Sequence, residues 1–179
     1  MLLAKKEILN YIKKGLLVQN LLDAEKQVQQ AGVDLTVAKI FSLTGKGVID
    51  FSNEKRQLPD YKEIPMMDGI WKLKPGLYNA TMNEIIKLPK DVAALVFPRS
   101  SALVCGLEAH TALWDPGYEG RGFLHFTLQR PIEIHQNARI VQMIFLKTEE
   151  TEGYNGNYQK EDILKNRKRG FDLSSALVD

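Results

Sequence analysis

The chain has 179 residues, of which 44% are hydrophobic, and this is enough for one globular domain with a core of its own. Its 24 Lys and Arg residues against 22 Asp and Glu residues leave a formal net charge of +2, which excludes binding to nucleic acid by extended neutralisation of phosphates. The single cysteine excludes an internal disulfide and a Cys-rich metal site, and no stretch approaches the roughly 18 apolar residues that span a bilayer. We therefore expect a cytoplasmic protein that binds neither nucleic acid nor a membrane.

A helix is predicted at the start of the chain, over about residues 4–14. Ile8, Leu9 and Ile12 recur there at helical spacing, and Gly15 follows as a stop signal. After this point the sequence pattern changes to that of short strands.

The first predicted strand is marked by the alternation of Val33, Leu35 and Val37. Residues 48–51 are a further short candidate, whereas the polar stretch 52–69 is interpreted as an excursion between strands. Later candidate strands are 70–73, 77–81, 92–97, 107–113, 122–128, 132–135 and 140–146. Many short strands with Gly and Pro between them indicate an all-β fold, a sandwich or distorted β-barrel with one short N-terminal helix.

The motif Pro98-Arg99-Ser100-Ser101 closes the apolar run 92–97. An Arg guanidinium matches phosphate oxygens, and Ser hydroxyls with neighbouring backbone N–H groups add neutral donors. The motif therefore indicates phosphate binding at the end of a strand. The alternative is a Ser-rich turn with a structural arginine.

A second motif, Asp115-Pro116-Gly117-Tyr118-Glu119-Gly120, places a carboxylate at the start of a tight turn. Such a turn can aim Asp115 into a cleft. The alternative is that Asp115 caps its own turn, which is common in Asp-Pro-Gly sequences.

These motifs occur together with several others, and the whole set resembles the superfamily of trimeric dUTP diphosphatases and dCTP deaminases. The resemblance extends to about residue 160. The matching stretches are 31–35 (Ala-Gly-Val-Asp-Leu), 98–101, Gly106-Leu107, 111–120, 139–145 (Arg-Ile-Val-Gln-Met-Ile-Phe) and 154–159 (Tyr-Asn-Gly-Asn-Tyr-Gln).

The resemblance implies a jelly-roll-like β-barrel subunit over residues 1–150 that assembles as a homotrimer, with active sites between neighbouring subunits. It also implies that the tail, residues 151–179, closes the site as a lid; plain disorder is the alternative. Tyr154 and Gln159 match lid residues. A basic run at 165–169 lies in this tail, and we interpret it as a solvated charged segment.

The two branches of the superfamily differ in residues that serve deamination. By resemblance, the deaminases carry a glutamate at the position of His125 and an arginine at the position of Val104. The absence of both favours a dUTP diphosphatase, which releases dUMP and pyrophosphate. Two alternatives stay open: a dCTP deaminase or bifunctional enzyme that uses His125, and a relative that binds nucleotides without catalysis.

The resemblance assigns the catalytic role to Asp115, which would activate water for attack at the α-phosphorus. Tyr118 matches the residue whose ring packs under the deoxyribose and excludes a 2′-hydroxyl. Ala112 and Trp114 lie in the hairpin whose backbone recognises uracil.

Four further residues match the phosphate-binding positions of the family. They are Arg99, Ser100, Ser101 and Gln142. By resemblance, Arg99 either braces the site or reaches the phosphate, and Gln142 acts across a subunit boundary; a structural hydrogen bond is the alternative for Gln142. Mg²⁺ is expected on the triphosphate oxygens, with no protein side chain bound to it directly. Asp34 matches a carboxylate that is either structural or bound to a metal-coordinated water.

Overall fold

The computed structural model describes residues 1–165, and the all-β fold predicted from the sequence is confirmed. Strands far outnumber helices, and the helices are short. The elements are α1 (Lys5–Lys13), β1 (Leu17–Gln19), α2 (Ala24–Gln27), β2 (Val33–Thr44), β3 (Asp60–Glu63), β4 (Ile70–Leu73), β5 (Gly76–Met82), β6 (Ile85–Lys87), β7 (Val92–Pro98), α3 (Ser100–Val104), β8 (Leu107–His110), β9 (Glu119–Gly120), β10 (Phe123–Leu128), β11 (Ile132–His135), β12 (Arg139–Lys147) and a 3-10 turn (Ile163–Lys165).

The main sheet has the strand order β7-β12-β2-β5-β10-β8, with β3 paired to β2, and all of its pairings are antiparallel. Its two end strands approach each other. Ala94 on β7 exchanges two backbone hydrogen bonds, of 2.9 and 3.0 Å, with Trp114 beyond β8. The sheet therefore nearly closes on itself as a barrel. Smaller sheets, β1-β6-β9 and β4-β11, complete the domain.

Helix α1 forms where it was predicted, and its first turn shows why. The Glu7 carboxylate accepts a hydrogen bond from the backbone N–H of Ala4 at 3.1 Å, which satisfies a free helical donor. Gly15 takes a positive φ of 72° just after the helix. Ile8 is fully buried and fixes the helix to the barrel. Within residues 1–165 no helix is long and apolar enough to cross a membrane.

Two predictions between residues 48 and 69 were wrong. Residues 48–51 form no strand, because the Asp50 carboxylate accepts hydrogen bonds from Ser52 and from the Lys55 backbone and turns the chain. The polar stretch 52–69 contains strand β3, whose Tyr61 pairs with Leu43. Pairing with the long strand β2 outweighs the weak strand propensity of this polar segment.

Successive side chains of strand β10 point alternately into the core and towards the candidate site. Leu124, Phe126 and Leu128 are buried in the core, whereas Phe123 and His125 lie on the other face of the sheet. That face forms one wall of the cavity described next.

Candidate active site

A cavity of about 420 Å³ lies beside the Asp-Pro-Gly turn. Its lining is mainly aromatic, with a few polar groups. The lining residues are Tyr61, residues 110–115, Tyr118, Gly122, Phe123, His125, Tyr154, Tyr158 and Glu161. We call this the Asp115 pocket. Its size and its mixture of aromatic walls with few polar groups are typical of small-molecule sites.

Asp115 is the first residue of a hydrogen-bonded turn. The Tyr118 backbone N–H donates to the Asp115 carbonyl at 3.1 Å, and Gly117 has a φ of +82° that favours glycine. Within the described chain the Asp115 carboxylate accepts no hydrogen bond from this turn, so the alternative of a turn cap is not what the structure shows. Asp115 is one of the residues that line the pocket.

The Tyr118 side chain lines the pocket and is held by contacts with three other residues. Its edge-on contact with Trp114 has ring centroids 5.0 Å apart, and Tyr154 lies 5.9 Å away. The Tyr118 hydroxyl donates a hydrogen bond to Glu161 Oε1 at 3.1 Å. Burial, followed by the negative charge of Glu161, raises the pKa of Tyr118 far above its ordinary value, so the phenol stays a neutral donor.

The tail packs against the turn of its own subunit. The Tyr154 backbone N–H donates to the Pro116 carbonyl at 2.7 Å, and the Gln159 amide group donates to the Gly117 carbonyl at 2.9 Å. A Cβ atom at Gly117 would lie 2.8 Å from the Gly153 Cα atom, so only glycine permits this approach. Tyr154 lines the pocket, whereas Gln159 braces the turn behind it.

Glu161 is a pocket residue that the sequence analysis missed. A signal was present in the glycines of the segment 118–122. A Cβ atom at Gly120 would lie 2.9 Å from the Glu161 carbonyl oxygen, and one at Gly122 would lie 2.5 Å from Glu161 Oε1. Glycines within a strand-like segment often mark the close approach of another chain segment, although the sequence does not say which one.

His125, which the sequence resemblance matches to the deaminase glutamate, lies on the pocket wall. In the sheet it stands directly opposite His110 on β8 and Asn79 on β5. His110 also contacts the Thr127 hydroxyl at 3.1 Å. The wall therefore carries imidazoles rather than a strand-borne carboxylate at this position.

A second polar group, which we call the Asp34 cluster, comprises Asp34, Arg99, Arg139 and Gln142. Asp34 is 1% exposed, and its carboxylate pairs with Arg99 Nε at 2.9 Å and Arg139 Nη1 at 3.2 Å. Gln142 Nε2 donates to the other carboxylate oxygen at 3.1 Å. Both oxygens of the Asp34 carboxylate therefore have donors within the same chain, as a structural role requires.

Gln142 thus has the structural hydrogen bond that was considered as its alternative role. Strict alternation along β12 would place Ile140 on the same face as Gln142, but the strand is irregular at this point. A register irregularity between Arg139 and Val141 buries both Ile140 and Val141. Contact between Gln142 and a ligand stays a prediction.

Ser100 and Ser101 are the first two residues of helix α3, which begins two residues after the end of strand β7. Both serines are exposed. The sequence analysis missed this helix. Neither serine lines the Asp115 pocket, and the same holds for Arg99 and Gln142. The pocket of one chain therefore contains Ala112, Trp114, Asp115, Tyr118 and Tyr154 of the predicted site, but none of the predicted phosphate ligands.

Two further points bear on binding. The backbone N–H and carbonyl of Trp114 are both hydrogen-bonded to Ala94, so Trp114 can contact a ligand only through its side chain. Recognition of a base by backbone groups would therefore fall to residues 111–113. Among residues 1–165 there is no group of three or more His, Cys, Asp or Glu side chains that could hold a metal ion.

Comparison with known proteins agrees with this architecture. Residues 2–148 match the model of the dCTP deaminase-like family. A probable deoxyuridine 5′-triphosphate nucleotidohydrolase of Archaeoglobus fulgidus is 38% identical over 160 residues, covering 88% of this chain and 95% of the relative. A deoxyuridine 5′-triphosphate nucleotidohydrolase of Methanocaldococcus jannaschii is 46% identical over 138 residues, covering 75% and 88%.

Among solved structures, 2′-deoxycytidine 5′-triphosphate deaminase from Agrobacterium tumefaciens matches with a TM-score of 0.61 and 20% identity, over 80% of this chain and 46% of the deaminase chain. At this identity the match supports the fold alone. With the family match covering most of the sequence and relatives that are aligned over nearly their full length, the chain belongs to the dCTP deaminase-like family.

Proposed function

We propose that the chain is a cytoplasmic dUTP diphosphatase, which hydrolyses dUTP to dUMP and pyrophosphate. The observation that carries the proposal is the Asp115 carboxylate at an aromatic-lined pocket, on a turn that leaves it free to face a ligand. Relatives at 38% and 46% identity that are named for this reaction support the choice of substrate.

In the proposed mechanism Asp115 accepts a hydrogen bond from one water molecule and takes its proton as the water attacks. The water oxygen bonds to the α-phosphorus while the bond from that phosphorus to the bridging oxygen of the β-phosphate breaks. Pyrophosphate leaves, and dUMP remains. A carboxylate held by a rigid turn suits this role because it orients the water before the reaction begins.

The nucleoside would lie between the hairpin end and Tyr118. The Tyr118 ring is 6% exposed and held by Trp114 and Glu161, so it offers a fixed surface under the sugar. A 2′-hydroxyl would meet this ring. The base would be recognised by backbone groups near Ala112, which is exposed at the pocket rim.

The phosphate chain would require a second subunit. Ser100, Ser101 and Gln142, with Arg99 braced beside them, lie outside the Asp115 pocket of their own chain, so a neighbouring copy would bring them to the phosphates. We propose a homotrimer with three such shared sites. Measurement of the molar mass in solution tests the assembly.

Exposed apolar side chains support an assembly surface next to the serines. Phe97 is 52% exposed, Leu103 52% and Val104 81%, all flanking Ser100 and Ser101 in the sequence. A neighbouring subunit that covers them would remove this apolar area from water, which favours association.

The tail and the metal complete the proposal. We propose that residues 1–150 form the barrel domain and that residues 151–179 close the site as a lid. Of this tail, 166–179 lie outside the described residues, and so does most of the basic run at 165–169. Mg²⁺ would arrive on the phosphate oxygens of the substrate, and the steps above use only side chains of this chain.

One experiment tests the function directly. Purified protein is incubated with dUTP and with dCTP, each with Mg²⁺, and pyrophosphate and ammonia are assayed separately. Pyrophosphate from dUTP without ammonia from dCTP is the expected result. Ammonia release from dCTP would contradict the assignment, and so would the absence of both products.

A further inference from the structure

Glu161 is a buried carboxylate on the pocket wall that the proposed mechanism does not use. It is 7% exposed, and its Oε1 atom accepts the hydrogen bond from the Tyr118 hydroxyl at 3.1 Å. Glu161 and Asp115 both line the pocket. In the proposed function Tyr118 lies under the sugar, so its hydrogen-bond partner Glu161 belongs to the nucleoside end of the site.

The backbone around Glu161 is anchored to a single residue of the barrel. The Arg121 N–H donates to the Glu161 carbonyl at 2.7 Å, and the Ile163 N–H donates to the Arg121 carbonyl at 3.1 Å. The Arg121 guanidinium also pairs with Asp162 at 2.9 Å, and both side chains are largely buried. Glu161 is therefore fixed in place on both sides along the chain.

The barrel segment opposite Glu161 leaves space for this contact. Gly120 and Gly122 are the residues at which a Cβ atom would meet Glu161, and the Gly120 Cβ would also lie 2.7 Å from the Tyr118 hydroxyl oxygen. The alternation of glycine with larger residues over 118–122 thus matches the geometry of the contact between Tyr118 and Glu161. The fold therefore accommodates the contact at two positions, Gly120 and Gly122.

We infer that Glu161 is a positioning residue that fixes the Tyr118 ring and so sets the preference of the enzyme for deoxyribose over ribose. This rests on the proposed function, in which the ring lies under the sugar. A pocket rejects one added hydroxyl only weakly unless its wall cannot yield. Trp114 holds one edge of the ring, and Glu161 holds the hydroxyl end, so the ring cannot tilt away from a 2′-hydroxyl.

The test measures kcat/KM for dUTP and for UTP, with Mg²⁺, in the full-length protein. Glu161→Leu should lower the ratio of the two values by about tenfold, because it removes the acceptor of a hydrogen bond to a charged group. Glu161→Gln keeps an acceptor oxygen for the Tyr118 hydroxyl and should retain most of the preference. Glu119→Leu is the matched control, since its carboxylate pairs instead with Lys87 at 3.4 Å; its ratio should stay within twofold of the wild type.

A double-mutant cycle tests whether Glu161 acts through the ring. Tyr118→Phe should lower the ratio about as much as Glu161→Leu, and the double variant should lower it no further. If Glu161→Leu lowers kcat/KM equally for dUTP and UTP, or lowers neither value, the ratio is unchanged and the inference is overturned. Equal losses would show that Glu161 has only a structural role. Failure of the wild type to cleave dUTP would overturn the proposed function itself, which is a separate outcome.

Discussion

The Asp115 pocket and the Asp34 cluster are both organised around an aspartate, yet they differ in what that aspartate contacts. Asp34 is 1% exposed, and described side chains of its own subunit surround its carboxylate with two guanidinium groups and the amides of Gln29 and Gln142. Asp115 is only half-buried and lies at a cavity whose walls are largely aromatic. The first carboxylate is held by contacts within the fold, whereas the second is the one to which we assign the proposed catalytic role.

This difference explains why neighbouring residues of the Arg-Ser-Ser motif have different surroundings. Arg99 of the Arg-Ser-Ser motif turns inward to Asp34, whereas Ser100 and Ser101 stay exposed. An ion pair that satisfies a buried carboxylate fixes the start of helix α3, where the serines lie. We therefore propose that Arg99 braces Ser100 and Ser101, the proposed phosphate-binding residues, and need not reach the phosphate itself.

The largest effect is expected from Asp115→Asn. An amide cannot take the proton from the attacking water, so kcat for dUTP should fall by about 10³-fold while Kd for the nucleotide changes little. Pyrophosphate release and nucleotide binding are measured on the same preparation. Asp91→Asn, which changes a partly exposed carboxylate paired with Lys147, serves as the control, and a near-full rate in Asp115→Asn would refute the catalytic role.

Asp34→Asn should chiefly damage stability. It leaves Arg99 and Arg139 without their counter-charge, and because each is about a third exposed, the loss should be about 2–3 kcal/mol in the free energy of unfolding, below the value for a fully buried pair. Urea unfolding measures it. If the variant were as stable as the wild type but inactive, Asp34 would belong to the chemistry and the contrast with Asp115 would fail.

Gly117→Ala tests the contact between the turn and the tail. Its Cβ atom would lie 2.8 Å from Gly153 and 2.9 Å from the Tyr154 nitrogen, so the tail must move away, and kcat/KM should fall on the order of tenfold. Gly69→Ala is the matched control, because Gly69 has a similar φ of +76° but open space around it. Equal effects of the two variants on kcat/KM would mean that backbone strain, rather than tail docking, is responsible.

A third carboxylate, that of Glu84, extends the comparison to pH. Glu84 is 1% exposed and accepts hydrogen bonds from Gln27 and Thr36, but burial raises its pKa above the ordinary value of 4.5. The native state therefore binds this proton more tightly than the unfolded state does. The stabilisation is fully present below about pH 4.5 and is lost as the pH rises through the raised pKa.

The measurement is the free energy of unfolding as a function of pH for the wild type and Glu84→Gln. The wild type should lose stability relative to the variant as the pH rises from 4.5, because Gln does not titrate. Parallel curves for the two proteins would show that Glu84 has the same pKa in the folded and unfolded states.

The smallest effect is expected from His125→Ala. His125 lines the pocket but has no chemical step in the proposed mechanism, so kcat/KM for dUTP should stay within about tenfold of the wild type. A much larger loss would make the imidazole a second essential group of the site and weaken the assignment of proton transfer to Asp115 alone.

Local patterns in the sequence predicted much of the fold. The alternation of Val33, Leu35 and Val37 predicted the start of β2, and short apolar segments predicted β10 and β12. The Asp-Pro-Gly sequence predicted the turn that carries Asp115, because turn chemistry depends on residues close in the chain. The same reasoning failed at β3, whose polar sequence becomes a strand only because β2 lies beside it.

The tertiary structure alone decided which distant residues meet. The sequence does not indicate that Glu161 reaches Tyr118, that Asp34 takes up Arg99, or that the phosphate-binding candidates lie apart from Asp115 in one chain. These contacts join segments far apart in the chain, and each depends on how the barrel closes and where the tail returns. Short-range propensity carries no information about such pairings, because packing of the whole domain selects them.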